Sequence, residues 1–302
     1  MKSQRDEMPS KRRRTLGYIV VDVFTEAALE GNPLAVFPDA VGLEKATMQR
    51  IARELNLSET VFGLPSRRRG CSWRLRIFTP AREMAFAGHP TLGAAFVLRK
   101  EGIVGDGAFC LELPIGPVPL RFEGSHRPLV WLKTPEIRRG RTFERGLCAS
   151  ALGLRRSDLL EAAPRLLSAG NPTIFVPVRT LEAVDRAWLD VRGWERIKGS
   201  LNAPACVYVF APRPGGAYGR MFAPEYGIVE DPATGSSAGP LALFLQDHGF
   251  APAADETRLV LEQGTKMGRR SFLHVILRGK GGSGGIEVGG HVTPVAKARM
   301  SL

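Results

Sequence analysis

The apolar patterning begins at residues 18–25, YIVVDVFT, a β-branched run that predicts a buried strand. Residues 34–37, LAVF, predict a second strand after the turn signal Gly31-Asn32-Pro33. Met48, Ile51, Ala52 and Leu55 then recur at helical spacing, which predicts an amphipathic helix over 43–56. Trp73, Leu75 and Ile77 alternate with Ser72, Arg74 and Arg76, the period of a half-buried strand. Glu59 falls where the helix gives way to the next strand. Two later segments lack a polar face. In the first, Pro90 stands where an opening helical turn tolerates it, and Leu92 to Leu98 are apolar or glycine throughout. The second runs free of charge from Ala238 to Leu245 and ends at Gly249, a candidate C-terminal cap. A helix apolar on every side is buried on every side.

These segments are echoes of one another. Gly31-Asn32-Pro33 followed by LAVF recurs as Gly170-Asn171-Pro172 followed by TIFVPV, about 140 residues later. In each copy the buried helix begins roughly 60 residues after the Gly-Asn-Pro. The expected architecture is an α+β fold of two similar, pseudo-duplicated halves, each a curved, mostly antiparallel sheet around one central buried helix. The junction falls in the Pro-, Gly- and Arg-containing region 123–141, which divides the chain into a basic tail at 1–16, a first half at 17–128 and a second at 129–283. Residues 281–285, GGSGG, lack the Lys-Ser/Thr and the strand-to-helix setting of a phosphate loop and are expected to form a flexible turn.

A length of 302 residues accommodates two cores, and 44% hydrophobic with 24% charged residues is ordinary globular composition. Apolar runs of membrane-spanning length are absent, and the opening MKSQRDEMPSKRRR has no apolar stretch of the secretory kind, so the expected location is the cytoplasm. Cys71, Cys110, Cys148 and Cys206 are scattered without a Cys-x-x-Cys pair and are expected to be reduced, buried and inert. The net charge of +12 raises nucleic-acid binding. Six basic and two acidic side chains lie within residues 1–14, however, so a third of the excess sits in the tail. The rest is dispersed without a nucleic-acid motif, and a solvated basic face, compatible with anionic substrates, is the better account.

Helix N-termini offer unpaired N–H groups and the positive end of a dipole, so helices starting at Gly88-His89-Pro90-Thr91 and at Asp231-Pro232-Ala233-Thr234-Gly235-Ser236 are suited to hold a carboxylate between them. Taken singly, each start is as readily an ordinary cap. His89 reads as a hydrogen-bond donor, an acid/base group or an N-cap; Asp231 as a helix cap or as the holder of a substrate amine or hydroxyl. Glu59 has no local partner, and desolvation in a cleft raises a carboxyl toward neutrality, where it acts as acid and base in turn. The bland alternative is a surface glutamate at a helix exit, and spacing does not decide between them. His89, His126, His248, His274 and His291 form no metal-ligand cluster, so no metal is expected, and no Gly-x-Ser-x-Gly elbow supports Ser236 as a nucleophile.

The ordered set of VDVFT, Gly-Asn-Pro-Leu-Ala-Val, Leu57-Ser58-Glu59-Thr60-Val61-Phe62, Arg76-Ile77-Phe78-Thr79-Pro80, Gly88-His89-Pro90-Thr91-Leu92-Gly93 and Glu230-Asp231-Pro232-Ala233-Thr234-Gly235-Ser236 resembles the PhzF-like family of phenazine-biosynthesis isomerases. The resemblance extends to Glu262-Gln263-Gly264 and Val288-Gly289-Gly290, and so from about residue 17 onward. It implies a diaminopimelate epimerase-like fold with the C-terminal segment 284–302 crossing back to the first half, a homodimer and no cofactor. It further implies Glu59 as a proton shuttle on a small cyclic or amino-acid-like carboxylate, with His89, Asp231, Ser236, Gly88 and Gly235 on the substrate. Related racemases use two facing thiols; here Ala87 and Ala233 stand roughly where those would fall, which disfavours two-thiol racemisation. Gly268-Arg269-Arg270-Ser271 departs from the family's frequent Gly-Arg-Pro-Ser. The leading expectation is a cofactor-independent isomerase. An epimerase on another small acid, a non-catalytic small-molecule binder, and nucleic-acid binding through the tail are the alternatives.

Overall fold

The computed structural model describes residues 14–199, 201 and 203–302, so the expected tail lies outside the described residues up to position 13. The first strand, Thr15–Val23, starts two residues inside that expected tail, because Leu16 is buried and the whole strand pairs with Val292–Ser301.

Among the described residues, each half contributes eight strands in one hydrogen-bonded order. In the first half the order runs 292–301, 15–23, 32–37, 59–65, 73–78, 109–113, 116–123 and 129–133. In the second it runs 138–142, 165–168, 172–177, 206–213, 216–223, 256–263, 271–278 and 285–290. The same two neighbouring pairs are parallel in each: 32–37 with 59–65 and 73–78 with 109–113, then 172–177 with 206–213 and 216–223 with 256–263. All other pairs are antiparallel. The seam is the antiparallel pair of Gly285–Gly290 with Leu129–Lys133, and the strand that pairs with the first half begins at Val292.

Inside each curved sheet lies the expected apolar helix, Gly88–Lys100 in the first half and Gly235–Asp247 in the second. Leu92, Val97 and Leu98 from one and Leu241, Phe244 and Leu245 from the other join a single core, each contributing roughly 1.5–3 kcal/mol by burial. Gly249, with φ 73°, follows the second helix in the left-handed conformation that ends it. Helices also cover the outer faces. The amphipathic Lys45–Leu55 packs Met48, Ile51 and Ala52 against Phe37, Phe62 and Phe78. Three short helices, Arg145–Ala151, Leu181–Arg186 and Val191–Lys198, cover the second half. Residues 281–285 lie in the turn between Ser271–Arg278 and Gly285–Gly290, with the Gly281 N–H bonded to Gln246 Oε1 at 2.8 Å. Among the described residues no helix is long and apolar enough to cross a membrane. Cys148 and Cys206 are buried, but Cys71 and Cys110 are only half-buried, contrary to the expectation that all four are buried.

Candidate active site

Strand register brings the two copies into residue-by-residue correspondence. Asn32 and Asn171 follow the Gly of each Gly-Asn-Pro; two positions on, Leu34 pairs with Glu59 and Thr173 with Cys206. The next strands pair Thr60 with Phe78 and Val207 with Phe222. The short side strands pair Ile77 with Met84 and Met221 with Asp231. Four residues after Met84 and Asp231 the central helices begin, at Gly88 and Gly235.

The two helices meet start to start. A Cβ on Gly88 would lie 2.8 Å from the Gly235 carbonyl carbon, and one on Gly235 would lie 3.1 Å from the His89 nitrogen. Only glycine at both places lets two positive helix ends converge this closely. Their opening amides lack intrahelical partners and border one cavity. Glu59, Gly88, His89, Asp231, Gly235 and Ser236 all line it, so the six residues expected from the sequence come together. Its walls consist largely of corresponding pairs: Glu59 with Cys206, Met84 with Asp231, Gly88 with Gly235 and His89 with Ser236.

Glu59 opens the strand Glu59–Pro65, where the parallel ladder turns its side chain inward. Its Oε2 faces His89 Nε2 at 3.1 Å, yet neither atom has the alignment of a hydrogen bond, and both residues are buried, at 8% and 4% exposure. Two buried polar atoms facing each other without satisfying each other leave a place for a third group. Burial raises the Glu59 carboxyl well above the ordinary range, and the neighbouring Asp231 charge raises it further. Burial lowers His89 to about 3, so the ring is neutral near pH 7. The Asn32 amide nitrogen lies 3.3 Å from His89 Nδ1, a contact longer than the two bonds its two protons make.

Asn32 also donates to Asp231 Oδ1 and to the Ala233 carbonyl, both at 2.9 Å. Asp231 therefore does not cap the second helix. That N-cap is Thr234, whose hydroxyl donates to Asp231 Oδ2. Burial raises Asp231, but the Thr234 and Asn32 hydrogen bonds hold it down, so Glu59 is the better proton acceptor of the two carboxylates. Likewise His89 lies inside its helix, and the cap is Ala87. The cap position opposite Ala87 belongs to Thr234 rather than Ala233, a one-residue correction; a thiol stands at neither. Gln263 fastens the turn, donating to the Asp231 carbonyl at 2.6 Å and accepting from the Thr234 amide at 3.1 Å. Arg269 bonds Asp22 at 2.6 Å and the Gly31 carbonyl at 3.0 Å, fixing the turn that aims Asn32, and Arg270, at the family's frequent proline position, bonds Glu262 at 3.0 Å.

A scan of known families matches residues 21–298 to the phenazine biosynthesis-like proteins of the PhzC/PhzF family. The chain belongs to this family. An isomerase of Mesorhizobium japonicum whose activity is uncharacterised is 39% identical, covering 96% of the chain and 100% of the relative. The trans-2,3-dihydro-3-hydroxyanthranilate isomerase of Pseudomonas aeruginosa is 36% identical, covering 94% and 99%. The crystal structure of the Bacillus anthracis phenazine biosynthesis protein of the PhzF family superposes with a TM-score of 0.85 at 24% identity, covering 95% and 99%. This PhzF-family chain is an isomerase with the family's two-halved α+β fold, and its substrate is a small molecule.

Asn32, Asn171, Thr234, Cys206 and Gln263 were not singled out for the site by sequence reasoning. For the two asparagines the signal existed in the repeated Gly-Asn-Pro, which marked the duplication. Asn171 bonds Ser236 Oγ at 3.1 Å, just as Asn32 contacts the corresponding His89. Among the described residues no group of three or more metal-ligating side chains occurs.

Proposed function

We propose that this isomerase moves a proton between two carbons of a small cyclic or amino-acid-like carboxylate, in the manner of a trans-2,3-dihydro-3-hydroxyanthranilate isomerase, with Glu59 as the single shuttle and no cofactor. The observation that carries the reading is the buried, unsatisfied Glu59 carboxyl facing His89 beside two converging helix starts. Amides of Gly88, His89, Gly235 and Ser236 hold the substrate carboxylate and stabilise charge that develops as the carbon loses its proton. Ionised Glu59 takes that proton, and its raised affinity lets it hold the proton until the second carbon presents itself. His89 Nε2, facing Glu59 at 3.1 Å, borders the shuttle, while Asp231, which accepts from Thr234 and Asn32, receives the substrate's amine or hydroxyl. The enzyme works as a homodimer in the cytoplasm.

Epimerisation of another amino or hydroxy acid is the second reading, and one observation favours it: Cys206, the counterpart of Glu59, faces the same cavity from the other half. A proton removed by Glu59 and replaced from Cys206 would invert a centre. Burial pushes the Cys206 thiol strongly up, so it is available as a donor and not as a base.

Exchange in D₂O followed by NMR tests both readings, with trans-2,3-dihydro-3-hydroxyanthranilate first and then a panel of cyclic and amino acids. Deuterium gain with a shifted double bond, lost in Glu59→Gln, supports the isomerase. Inversion without a shift, lost also in Cys206→Ala, supports the epimerase. Equal exchange in wild type and Glu59→Gln overturns the shuttle.

A further inference from the structure

Away from the pocket, two thiols stand together for no reason the catalytic reading requires. Cys71 lies in the turn before Trp73–Phe78, and Cys110 lies on Phe109–Leu113. These strands run parallel, with Trp73 opposite Leu111, and the Ser72 amide extends the ladder by donating to the Cys110 carbonyl at 2.8 Å. The ladder delivers both side chains to one place, with the Sγ atoms 2.6 Å apart. A covalent bond between them needs only side-chain rotation, since the backbone is already in register.

The setting favours chemistry rather than inert packing. Both cysteines are half-buried, whereas Cys148 and Cys206 are buried. The turn that carries Cys71 presents Arg67, Arg68 and Arg69 to solvent, and the Cys71 amide closes it by donating to the Arg68 carbonyl at 3.2 Å. Three exposed guanidinium groups draw an anion toward Cys71. Burial and the contact with Cys71 push the Cys110 thiol up to about 12, so Cys110 stays protonated during the first exchange.

We propose that Cys71 and Cys110 form a redox-active dithiol whose oxidant is an anionic low-molecular-weight disulfide. Cys71, as thiolate, attacks one sulfur of that disulfide; the S–S bond breaks and the first small thiolate leaves. Cys110 then loses its proton to water and attacks Cys71 Sγ, expelling the second small thiolate. Two protein thiols are oxidised by two electrons, and one small disulfide is reduced to two thiols. The ring so closed, 71–110, contains the start of the first central helix with Gly88 and His89.

The test is incubation of the full chain with oxidised glutathione, followed by intact mass, thiol alkylation and non-reducing peptide mapping. The expected product is lighter by two hydrogen atoms, carries no adduct, yields a peptide linking Cys71 to Cys110, and returns to the starting mass with dithiothreitol. Cys110→Ser should instead trap glutathione on Cys71, which separates ordered two-step exchange from nonspecific oxidation. A wild-type protein that keeps a stable glutathione adduct with Cys110 still alkylatable, or whose mass does not change, overturns the proposal.

Discussion

The two faces of the pocket come from the same backbone written twice, and they differ almost only in chemistry. One half supplies Glu59, Met84 and His89; at the corresponding places the other supplies Cys206, Asp231 and Ser236. What both halves share is the helix start with its glycine and the asparagine that braces it. Binding an anion between two helix ends asks the halves to be alike, whereas moving a proton with one shuttle asks them to differ. A carboxyl facing a neutral thiol is an asymmetry of side chains laid over a symmetric frame.

The sharpest way to break that comparison is to exchange the roles of the corresponding pair. Glu59→Gln should lower turnover by about 10²–10⁴-fold, the usual contribution of a general acid/base, while Cys206→Ala should change it less than about tenfold. Steady-state kinetics on the substrate identified by deuterium exchange decides it, and equal losses would make the site a two-base one. Next comes the asparagine pair. Asn32→Ala strips a donor from Asp231 and from the Ala233 carbonyl, so urea denaturation should show a loss of about 2–4 kcal/mol. Asn171→Ala breaks one hydrogen bond, to Ser236, and should lose about 1 kcal/mol.

Smaller effects follow the charges. Because burial and, after it, the Asp231 charge raise Glu59, the acid limb of kcat/KM should lie above the ordinary carboxylate range and move to lower pH in Asp231→Asn, as a pH–rate profile will show. Folding raises the Glu59 pKa, so the folded state binds the proton more tightly than the unfolded chain. The stability this contributes is complete below the unfolded value and is lost as pH rises through the folded one. Glu59→Gln should therefore raise the thermal midpoint at pH 8 by a few degrees, with the gain shrinking toward pH 4. Calorimetry at the two pH values checks it.

Periodicity carried much of the fold because it reports burial one element at a time. Met48, Ile51 and Ala52 located the helix Lys45–Leu55, and the uncharged runs located both central helices. The site was legible only through its helix starts and Glu59. Asn32 and Asp231 are 199 positions apart, and nothing in local spacing discloses that one braces the other. Of the two readings of Asp231, the cap fails for a related reason: its oxygens are engaged by Asn32 and Thr234, one brought by the other half and one three residues on. Cys71 and Cys110 meet through a parallel ladder, whose partners are set by topology rather than by a turn.

The exchange of a strand between the halves also sets the order of events during synthesis. Thr15–Val23 is made before either central helix, but its neighbour Val292–Ser301 is made after both. In the interval that edge of the first sheet lies open, with unpaired N–H and C=O groups that invite other strands. Arrival of Val292–Ser301 is the step that closes this edge, and a chain lacking that strand would keep both central helices with one flank exposed.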